Sequence, residues 1–255
     1  KIYSKGDTIS YYVASFQSKN DISIGQVLRR LPGITVSDAG QISYKGQPIK
    51  NFYIEGLDLM KGRYGIATNN IDPNSISTIE VLENHQDIKA LKDLKPEERA
   101  SINLKLKSGV KGVFNLIATL GGGYVDKLLW DNELITTYFQ RNSQLLATYK
   151  GNNSGTDLES ELRSHTDYDY SRTSTISDIA MPATPGINKR YYYFNQSHCA
   201  TYNQVFRVGK NGELGINAAY LNDRDERSNQ SVTTTLLPDG SKNVVDESFN
   251  GILHR

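Results

Sequence analysis

The sequence predicts an α+β unit over residues 1–110, followed over residues 111–255 by antiparallel strands of the transmembrane β-barrel class. Two observations support this fold class. Before residue 110 the predicted elements are short and joined by tight glycine turns, whereas after it they are long and alternate strictly between apolar and polar residues. In the second unit, tight turns also alternate with longer connections, which is typical of a transmembrane barrel and not of a β-sandwich.

The first unit is predicted to open with a short helix that begins after Ser23. Four apolar residues have the i, i+3, i+4, i+7 spacing of one helix face: Ile24, Val27, Leu28 and Leu31. Ser23 and Gln26 have the spacing of a capping box, and Pro32 with the glycine that follows ends the helix. We therefore expect one apolar stripe packed against the rest of the unit.

The remainder of the first unit is predicted as short strands joined by tight turns. The expected strands are residues 8–13 (an edge strand), 34–36, 41–44, 51–54, 76–83 and 101–107. A helical turn that starts at Pro73 is expected to lead into the strand at Ile76, because proline suits a first helical turn. A further short helix is predicted over residues 87–94.

Four blocks of this unit carry a family resemblance: residues 27–36 (VLRRLPGITV), 52–58 (FYIEGLD), 62–70 (GRYGIATNN) and 79–86 (IEVLENHQ). They resemble the plug domain of TonB-dependent outer-membrane receptors, in particular the nutrient-uptake receptors of the starch-utilisation type. The resemblance is strongest over residues 6–125. It implies a plug inside an outer-membrane barrel of about 22 strands, of which this chain holds the first several.

The resemblance also implies a function. Such a receptor imports a nutrient (a glycan, a peptide or a similar molecule) when a TonB-type protein of the inner membrane supplies energy that displaces the plug. Outer-membrane lipid surrounds the barrel, and receptors of this branch often pair with a surface lipoprotein lid. The segment 62–70 is the candidate plug apex, which makes Arg63, Tyr64, Asn69 and Asn70 the predicted contacts of the nutrient. The alternative for this segment is a plain connecting loop.

Composition excludes some other classes of protein. The chain has 29 basic and 28 acidic residues, so its net charge of +1 gives no basis for binding nucleic acid. The mean hydropathy is −0.52 and no run of 18 apolar residues occurs, which excludes transmembrane helices. Barrel strands remain compatible, since only alternate residues are apolar in them. The 16 tyrosines fit aromatic girdles, or equally a sheet-rich protein of another kind.

No pattern in the sequence points to catalysis, a cofactor or a metal site. The four histidines are scattered, no nucleophile elbow is present, and the glycines at 121–123 are not followed by a phosphate-loop lysine. We expect a bulge or a tightly curved strand at those glycines, a structural role for His85 and simple packing for the lone Cys199. The acidic groups at 167–169 and 223–226 are expected to be solvated loop charges rather than calcium ligands. We therefore expect a protein that is not an enzyme.

The second unit is predicted to contain six or so long strands. These begin near residue 111 and include the hairpin around 141–143, a strand over 190–208, the hairpin around 209–212 and another around 238–240. Longer connections are expected at 124–132, at 150–189 and after residue 222. Six strands cannot close a barrel, so the chain is expected to be the N-terminal part of one. The resemblance also implies an upstream segment that binds the coupling protein, and since none is recognised, the true N-terminus is expected before Lys1. The alternative is a surface-exposed β-rich binding protein or adhesin.

Overall fold

The computed structural model describes residues 1–85, 99–165, 186–209, 212–238 and 240–254. The strands and α-helices of these ranges are β1 (Ile2–Lys5), β2 (Thr8–Tyr12), α1 (Ile24–Leu28), β3 (Ile34–Val36), β4 (Ile42–Tyr44), β5 (Gln47–Pro48), β6 (Phe52–Ile54), α2 (Gly65–Asn70), β7 (Ile76–Leu82), β8 (Ser101–Leu106), β9 (Phe114–Tyr124), β10 (Leu128–Phe139), β11 (Ser143–Asn152), β12 (Phe194–Val208), β13 (Gly212–Leu236) and β14 (Lys242–His254).

The first unit contains a five-stranded sheet of order β1-β2-β7-β8-β6 and a small meander of β3, β4 and β5. Strand β6 runs parallel to β8, while the other neighbours in both sheets are antiparallel. The core lies between these sheets and the two helices, and its fully buried side chains include Ile24, Leu28, Ile42, Phe52, Ile54, Tyr64 and Ile66. The predicted combination of short helices and short strands is therefore confirmed.

Helix α1 begins where its apolar stripe predicts it but ends at Leu28, short of the predicted end at Pro32, because the chain turns at residues 29–30. The four stripe residues are at most 3% exposed, and the helix ends just before Arg29. Ser23 is the N-cap residue, but its side chain makes no capping hydrogen bond, so the predicted capping box is wrong. Instead, Gln26 Oε1 accepts a hydrogen bond of 2.8 Å from the backbone N–H of Ile22, one residue earlier than a capping box requires.

Two further predictions for the first unit need correction. Strand β2 does not lie at the edge of its sheet, because β1 pairs along its outer side while β7 pairs along the other. Residues 65–70 of the predicted apex form α2, since Ile66 and Ala67 are drawn into the core. The helical turn at Pro73 and the strand β7 are confirmed. The helix predicted over 87–94 lies outside the described residues.

The second unit is a six-stranded antiparallel meander in which β9 to β14 pair in chain order. One face is apolar and exposed, and its side chains include Phe114, Leu116, Leu120, Leu134, Tyr149, Tyr202, Leu214, Ile216 and Tyr220. The opposite face, here called the inner face, buries mostly polar side chains, among them Thr137, Gln144, Thr148, Lys150, Asn195, Thr201 and Asn203. The predicted alternation is therefore confirmed. None of the helices in the described ranges has the length and hydropathy that a bilayer crossing requires.

The strand ends in this sheet differ from the prediction. Strands β9 and β10 are separated by residues 125–127 alone, and β13 continues without a break through the acidic group at 223–226. That group is not a loop, because Asp223 points to the inner face, where its Oδ1 accepts hydrogen bonds of 2.6 Å from Tyr193 and Ser197. Strand β12 starts only at Phe194, after a 3₁₀ turn at Lys189–Tyr191. The glycines at 121–123 continue β9 in regular register, without a bulge.

Glu83, at the end of β7, ties the two sheets of the first unit together. Its Oε1 accepts hydrogen bonds from Lys45 Nζ at 2.8 Å and Tyr44 Oη at 2.9 Å, and these bonds lower the pKa of Glu83 below its ordinary value of 4.5. A carboxyl group whose pKa is lowered by folding stabilises the fold above its unfolded-state pKa, and this contribution is lost as the pH falls through the folded-state pKa.

We therefore expect the first unit to lose stability as the pH falls from about 5 to about 3, and to lose less of it in Glu83→Gln. The measurement is the free energy of unfolding of both proteins across this pH range. Glutamine keeps the size of the side chain but does not titrate. Parallel pH profiles for the two proteins would show that this carboxyl group has no part in acid destabilisation.

Candidate functional site: helix α2 and the segment that covers it

The first unit rests on the inner face of the six-stranded sheet. Two amides of the sheet donate hydrogen bonds to backbone carbonyls of the first unit: Gln144 Nε2 to Ile54 O at 2.7 Å, and Asn217 Nδ2 to Leu59 O at 2.9 Å. Both amides sit on strands whose alternation points them inward. The sheet therefore binds backbone atoms of the first unit, and these two hydrogen bonds do not depend on which side chains stand at positions 54 and 59.

Apolar and charged contacts complete this interface. Phe139, Leu146 and Val205 of the sheet belong to the same buried core as the first unit. At the edge of the interface, Lys61 Nζ lies 3.2 Å from Glu213 Oε2. Since this ion pair is partly exposed, its net contribution is small, about 0–1 kcal/mol.

Helix α2 is the part of the first unit that carries the predicted ligand contacts. Its two polar side chains at 68 and 70 bond back to carbonyls one turn earlier: Thr68 Oγ1 to Tyr64 O at 2.8 Å, and Asn70 Nδ2 to Ile66 O at 2.7 Å. The helix ends where Ile71 returns to extended backbone. These bonds let asparagine and threonine, poor helix formers, be buried in a six-residue helix.

A segment between β11 and β12, residues 153–165, covers α2 and is here called the strap. Its first residues are fixed to the sheet. Gly155 N donates to Asn195 Oδ1 at 2.9 Å, and Asn195 Nδ2 in turn donates to Asn152 Oδ1 at 2.9 Å. The Asp157 Oδ2 atom lies 2.7 Å from Nζ of Lys189, a residue shortly before the start of β12. The base of the strap is therefore anchored to the ends of β11 and β12.

The far part of the strap binds the C-terminal end of α2 through Glu161. Its carboxylate accepts from Asn69 Nδ2 at 3.4 Å, from Asn70 Nδ2 at 3.3 Å and from Lys150 Nζ at 2.7 Å. The Lys150 side chain is only 9% exposed and also lies 3.6 Å from Glu133. Glu161 thus connects three elements: the strap, the inner face and α2.

His165, at the end of the strap, binds the N-terminal end of α2. Its backbone N–H donates to Gly62 O at 3.0 Å, and its ring centroid lies 4.9 Å from that of Tyr64. Burial lowers the pKa of His165, and the nearby Arg163 lowers it further against an opposing interaction with the Ala39 backbone. Burial thus favours the neutral imidazole over the charged form.

The structure brings together three of the four predicted ligand contacts. Tyr64, Asn69 and Asn70 all touch the strap, while Arg63 lies just before the helix. Tyr64 and Asn70 are buried, whereas Arg63 and Asn69 are partly exposed. That these four residues bind a nutrient stays a prediction.

Sequence reasoning missed the partners of α2. Glu161 and His165 lie in a polar stretch with no periodicity, so no local signal distinguishes them from solvated loop residues. Lys150 did have a signal, because Tyr149 faces outward and the next residue of a strand must face inward. A lysine at an inward position predicts a buried acidic partner.

A polar cleft of about 210 Å³ lies beside this junction, lined by Gln26, Arg29, Asn69, Glu133, Lys150 and Glu161 among others. It offers both donors and acceptors, with two basic and two acidic side chains. A second cavity of about 480 Å³ lies near the tight turn between β12 and β13, and its lining includes Asn51, Tyr53, Asp58, Lys61, His85 and Glu213. In the part of the chain that the structure describes, no group of three or more His, Cys, Asp or Glu side chains is placed to hold a metal ion.

The fold and the site define a small α+β domain held on the polar face of an amphipathic antiparallel sheet. Residues 6–89 match the family model for the TonB-dependent Receptor Plug Domain. This part of the chain is therefore similar in sequence to the plug domain of TonB-dependent receptors. No protein of curated function was found to match the chain in sequence.

Solved structures of outer-membrane receptors and transporters also match. The alcaligin outer-membrane receptor FauA from Bordetella pertussis is 12% identical, with 96% of this chain and 46% of that chain covered and a TM-score of 0.36. The ferric citrate transporter FecA in its unliganded form is 12% identical over 88% of this chain and 40% of that chain, with a TM-score of 0.34. The copper transporter OprC is 12% identical over 91% of this chain and 35% of that chain, with a TM-score of 0.32. The chain spans less than half the length of each.

Proposed function

We propose that the chain is the N-terminal part of a TonB-dependent outer-membrane receptor that imports a nutrient. In this proposal residues 1–110 are the plug, and residues 111–255 begin a multi-pass β-barrel of about 22 strands in the bacterial outer membrane. The observation that carries it is the seating of a plug domain on the polar face of a sheet whose other face is apolar and exposed.

The apolar face fits a lipid environment better than water. Leu116, Leu120 and Tyr220 are 63%, 83% and 62% exposed, and they belong to one continuous face of the sheet. Apolar surface left in water costs about 25 cal/mol per Å², so a soluble protein rarely exposes such a patch. Lipid removes this cost, and the polar inner face then points to the barrel interior.

Aromatic side chains mark both limits of the apolar band. Near the tight turns, Phe114 and Tyr138 stack at 4.5 Å. Near the opposite ends of the strands, Trp130 lies 5.2 Å from His198, which Tyr149 also contacts at 2.9 Å. Trp130 and Tyr138 are eight residues apart on β10, which corresponds to about 27 Å. In a barrel whose strands tilt by about 35–45°, this length spans about 20 Å along the membrane normal, so the two aromatic groups lie close to the edges of an apolar band about 25 Å tall.

Transport in this proposal requires the plug to leave the inner face. The polar part of the interface consists of single hydrogen bonds and partly exposed ion pairs, such as those of Gln144, Asn217 and Lys61. Each contributes about 0.5–1.5 kcal/mol or less, so an energy-coupling protein of the TonB type can separate them. We assign the receptor to the starch-utilisation branch, with a glycan, peptide or similar nutrient and a surface lipoprotein partner. The support for this branch is the resemblance of residues 27–36 and 62–70.

We also propose that Arg63, Tyr64, Asn69 and Asn70 bind the nutrient. Arg63 and Asn69 are partly exposed and are the first to be reached. Tyr64 and Asn70 are covered by the strap, so their contact with a ligand requires the strap to move.

The test is the electrophoretic mobility of the full-length protein, extracted from outer membranes in detergent, with and without boiling. We expect a species several times heavier than 28.5 kDa whose mobility changes on heating, because a closed barrel resists detergent until it is boiled. A water-soluble protein without a heat-dependent shift would contradict the proposal and favour a surface-exposed β-rich binding protein.

A further inference from the structure

We propose that the strap, residues 153–165, is a clamp that holds the plug in the barrel. The plug is released when the contacts of Glu161 with α2 break. This inference rests on the proposed function, since it concerns the same plug. A ligand with acceptor oxygens, such as hydroxyl or carboxylate groups, would open the clamp by replacing Glu161 on the two donors that line the adjoining cleft, Asn69 and Lys150.

The position of the strap gives it this role. Its base is hydrogen-bonded to the strands through Asn152 and Asn195, and its far part contacts both ends of α2. His165 holds one end of the helix and Glu161 holds the other. The plug therefore cannot move away from the inner face at α2 unless these two contacts break.

The contacts of Glu161 with the plug are weaker than its contact with the sheet. The two asparagine donors lie at 3.3 and 3.4 Å, near the outer limit of a hydrogen bond, while Lys150 lies at 2.7 Å. The Glu161 carboxylate therefore separates from the asparagines more easily than from the lysine. The bonds to α2 therefore break first and the bond to Lys150 breaks last, so the first separation lies where a plug has to part from its barrel.

Lys150 has a second partner that makes the release possible. A buried ammonium group that loses its only carboxylate is strongly destabilised. Here Glu133 lies 3.6 Å from the same Nζ, on the neighbouring strand of the sheet. When Glu161 moves away, Lys150 keeps one carboxylate, so opening the clamp does not leave an unpaired buried charge.

The polar cleft beside the junction gives a ligand access to the same donors. Asn69, Lys150 and Glu161 all line it, and Asn69 is partly exposed. Oxygen atoms that enter the cleft meet the amide and ammonium donors now bound to Glu161. This argues for an oxygen-rich, polar ligand, because an apolar molecule has no acceptor atoms to replace Glu161 on these donors.

The clamp is tested with the full-length protein in planar lipid bilayers, where a seated plug blocks ionic current and urea unseats it. We expect Glu161→Ala to conduct at a lower urea concentration than the wild type. Backbone amides of residues 66–71 should also exchange hydrogen about tenfold faster in this variant, because α2 loses its charge-assisted hydrogen bonds to Glu161 and opens more often. The matched control is Glu133→Ala, which removes a carboxylate from the same lysine but no contact of α2. It should not conduct at a lower urea concentration than the wild type, because Glu161 still holds α2 and Lys150 has no other carboxylate when the clamp opens.

Equal urea dependence of conductance in Glu161→Ala and the wild type, or equal shifts in Glu161→Ala and Glu133→Ala, would overturn the clamp. A heat-dependent mobility shift in each variant shows that its barrel has folded. A protein that lacks residues 1–110 separates the two proposals, since it should conduct without urea if a barrel exists. Its failure to conduct would overturn the transport proposal instead.

Discussion

Replacing Gly40 by alanine is expected to destabilise the first unit by about 2–5 kcal/mol. Gly40 has φ = +79°, where an L residue costs about 1–2 kcal/mol. An added Cβ would also lie 2.7 Å from Gly65 Cα and 2.9 Å from Gly65 O, in a contact between two backbones that no side-chain rotation relieves. Overpacking of this kind costs a further 1–3 kcal/mol or so. The measurement is hydrogen exchange of β8 amides in the full-length protein, because the single tryptophan lies on the sheet and does not report on the first unit.

The matched control is Gly46→Ala. Gly46 has nearly the same backbone conformation, with φ = +82°, but no heavy atom lies within 4 Å of an added Cβ. It should therefore show only the conformational cost, about 1–2 kcal/mol. Equal destabilisation in the two variants would mean that the close approach of Gly40 to Gly65 does not add to the loss of unfolding free energy.

Replacing Leu134 by arginine is expected to destabilise the membrane-inserted protein by about 2–4 kcal/mol, the cost of an arginine at the bilayer midplane on a barrel's lipid face. Leu134 is 41% exposed on the apolar face and lies midway between Trp130 and Tyr138, the aromatic limits of the apolar band. The measurement is the fraction of full-length protein that folds into lipid vesicles across a urea titration, read from the heat-dependent mobility shift.

Thr119→Arg is the control for that substitution. Thr119 pairs with Glu133 across β9 and β10, at a similar height, but on the inner face. An arginine there meets a carboxylate and the polar interior, so it should be tolerated. If Thr119→Arg is as disruptive as Leu134→Arg, the two faces do not differ in environment and the apolar face is not in contact with lipid.

The clamp and the buried contacts of α2 bear on how a nutrient would act on the plug. Tyr64 and Asn70 are reached only after the strap moves, whereas Asn69 is partly exposed at the cleft. If both proposals hold, ligand recognition and plug release meet at Glu161, and the ligand reaches Asn69 first because that side chain is the partly exposed one.

The sequence by itself determined the elements whose signal is local. The apolar stripe of α1, the proline-led turn into β7 and the alternation of β9 depend on residues within one or two turns of each other, so their periodicity is visible without any fold. The blocks at 27–36 and 62–70 likewise carried the resemblance to a plug domain. The division at residue 110 and the binding role of Arg63, Tyr64, Asn69 and Asn70 stay predictions.

Only the tertiary structure decided the rest, because it depends on contacts between distant residues. Helix α2 was expected to be a loop, since its asparagines favour turns until burial and back-bonding to Tyr64 and Ile66 make the helix stable. The acidic group at 223–226 has the composition of a loop. It is part of a strand because Ser197 on β12 donates a hydrogen bond to the buried carboxylate of Asp223. Glu161 meets Asn70 across 91 residues of sequence, a distance over which no pattern in the chain predicts a pair.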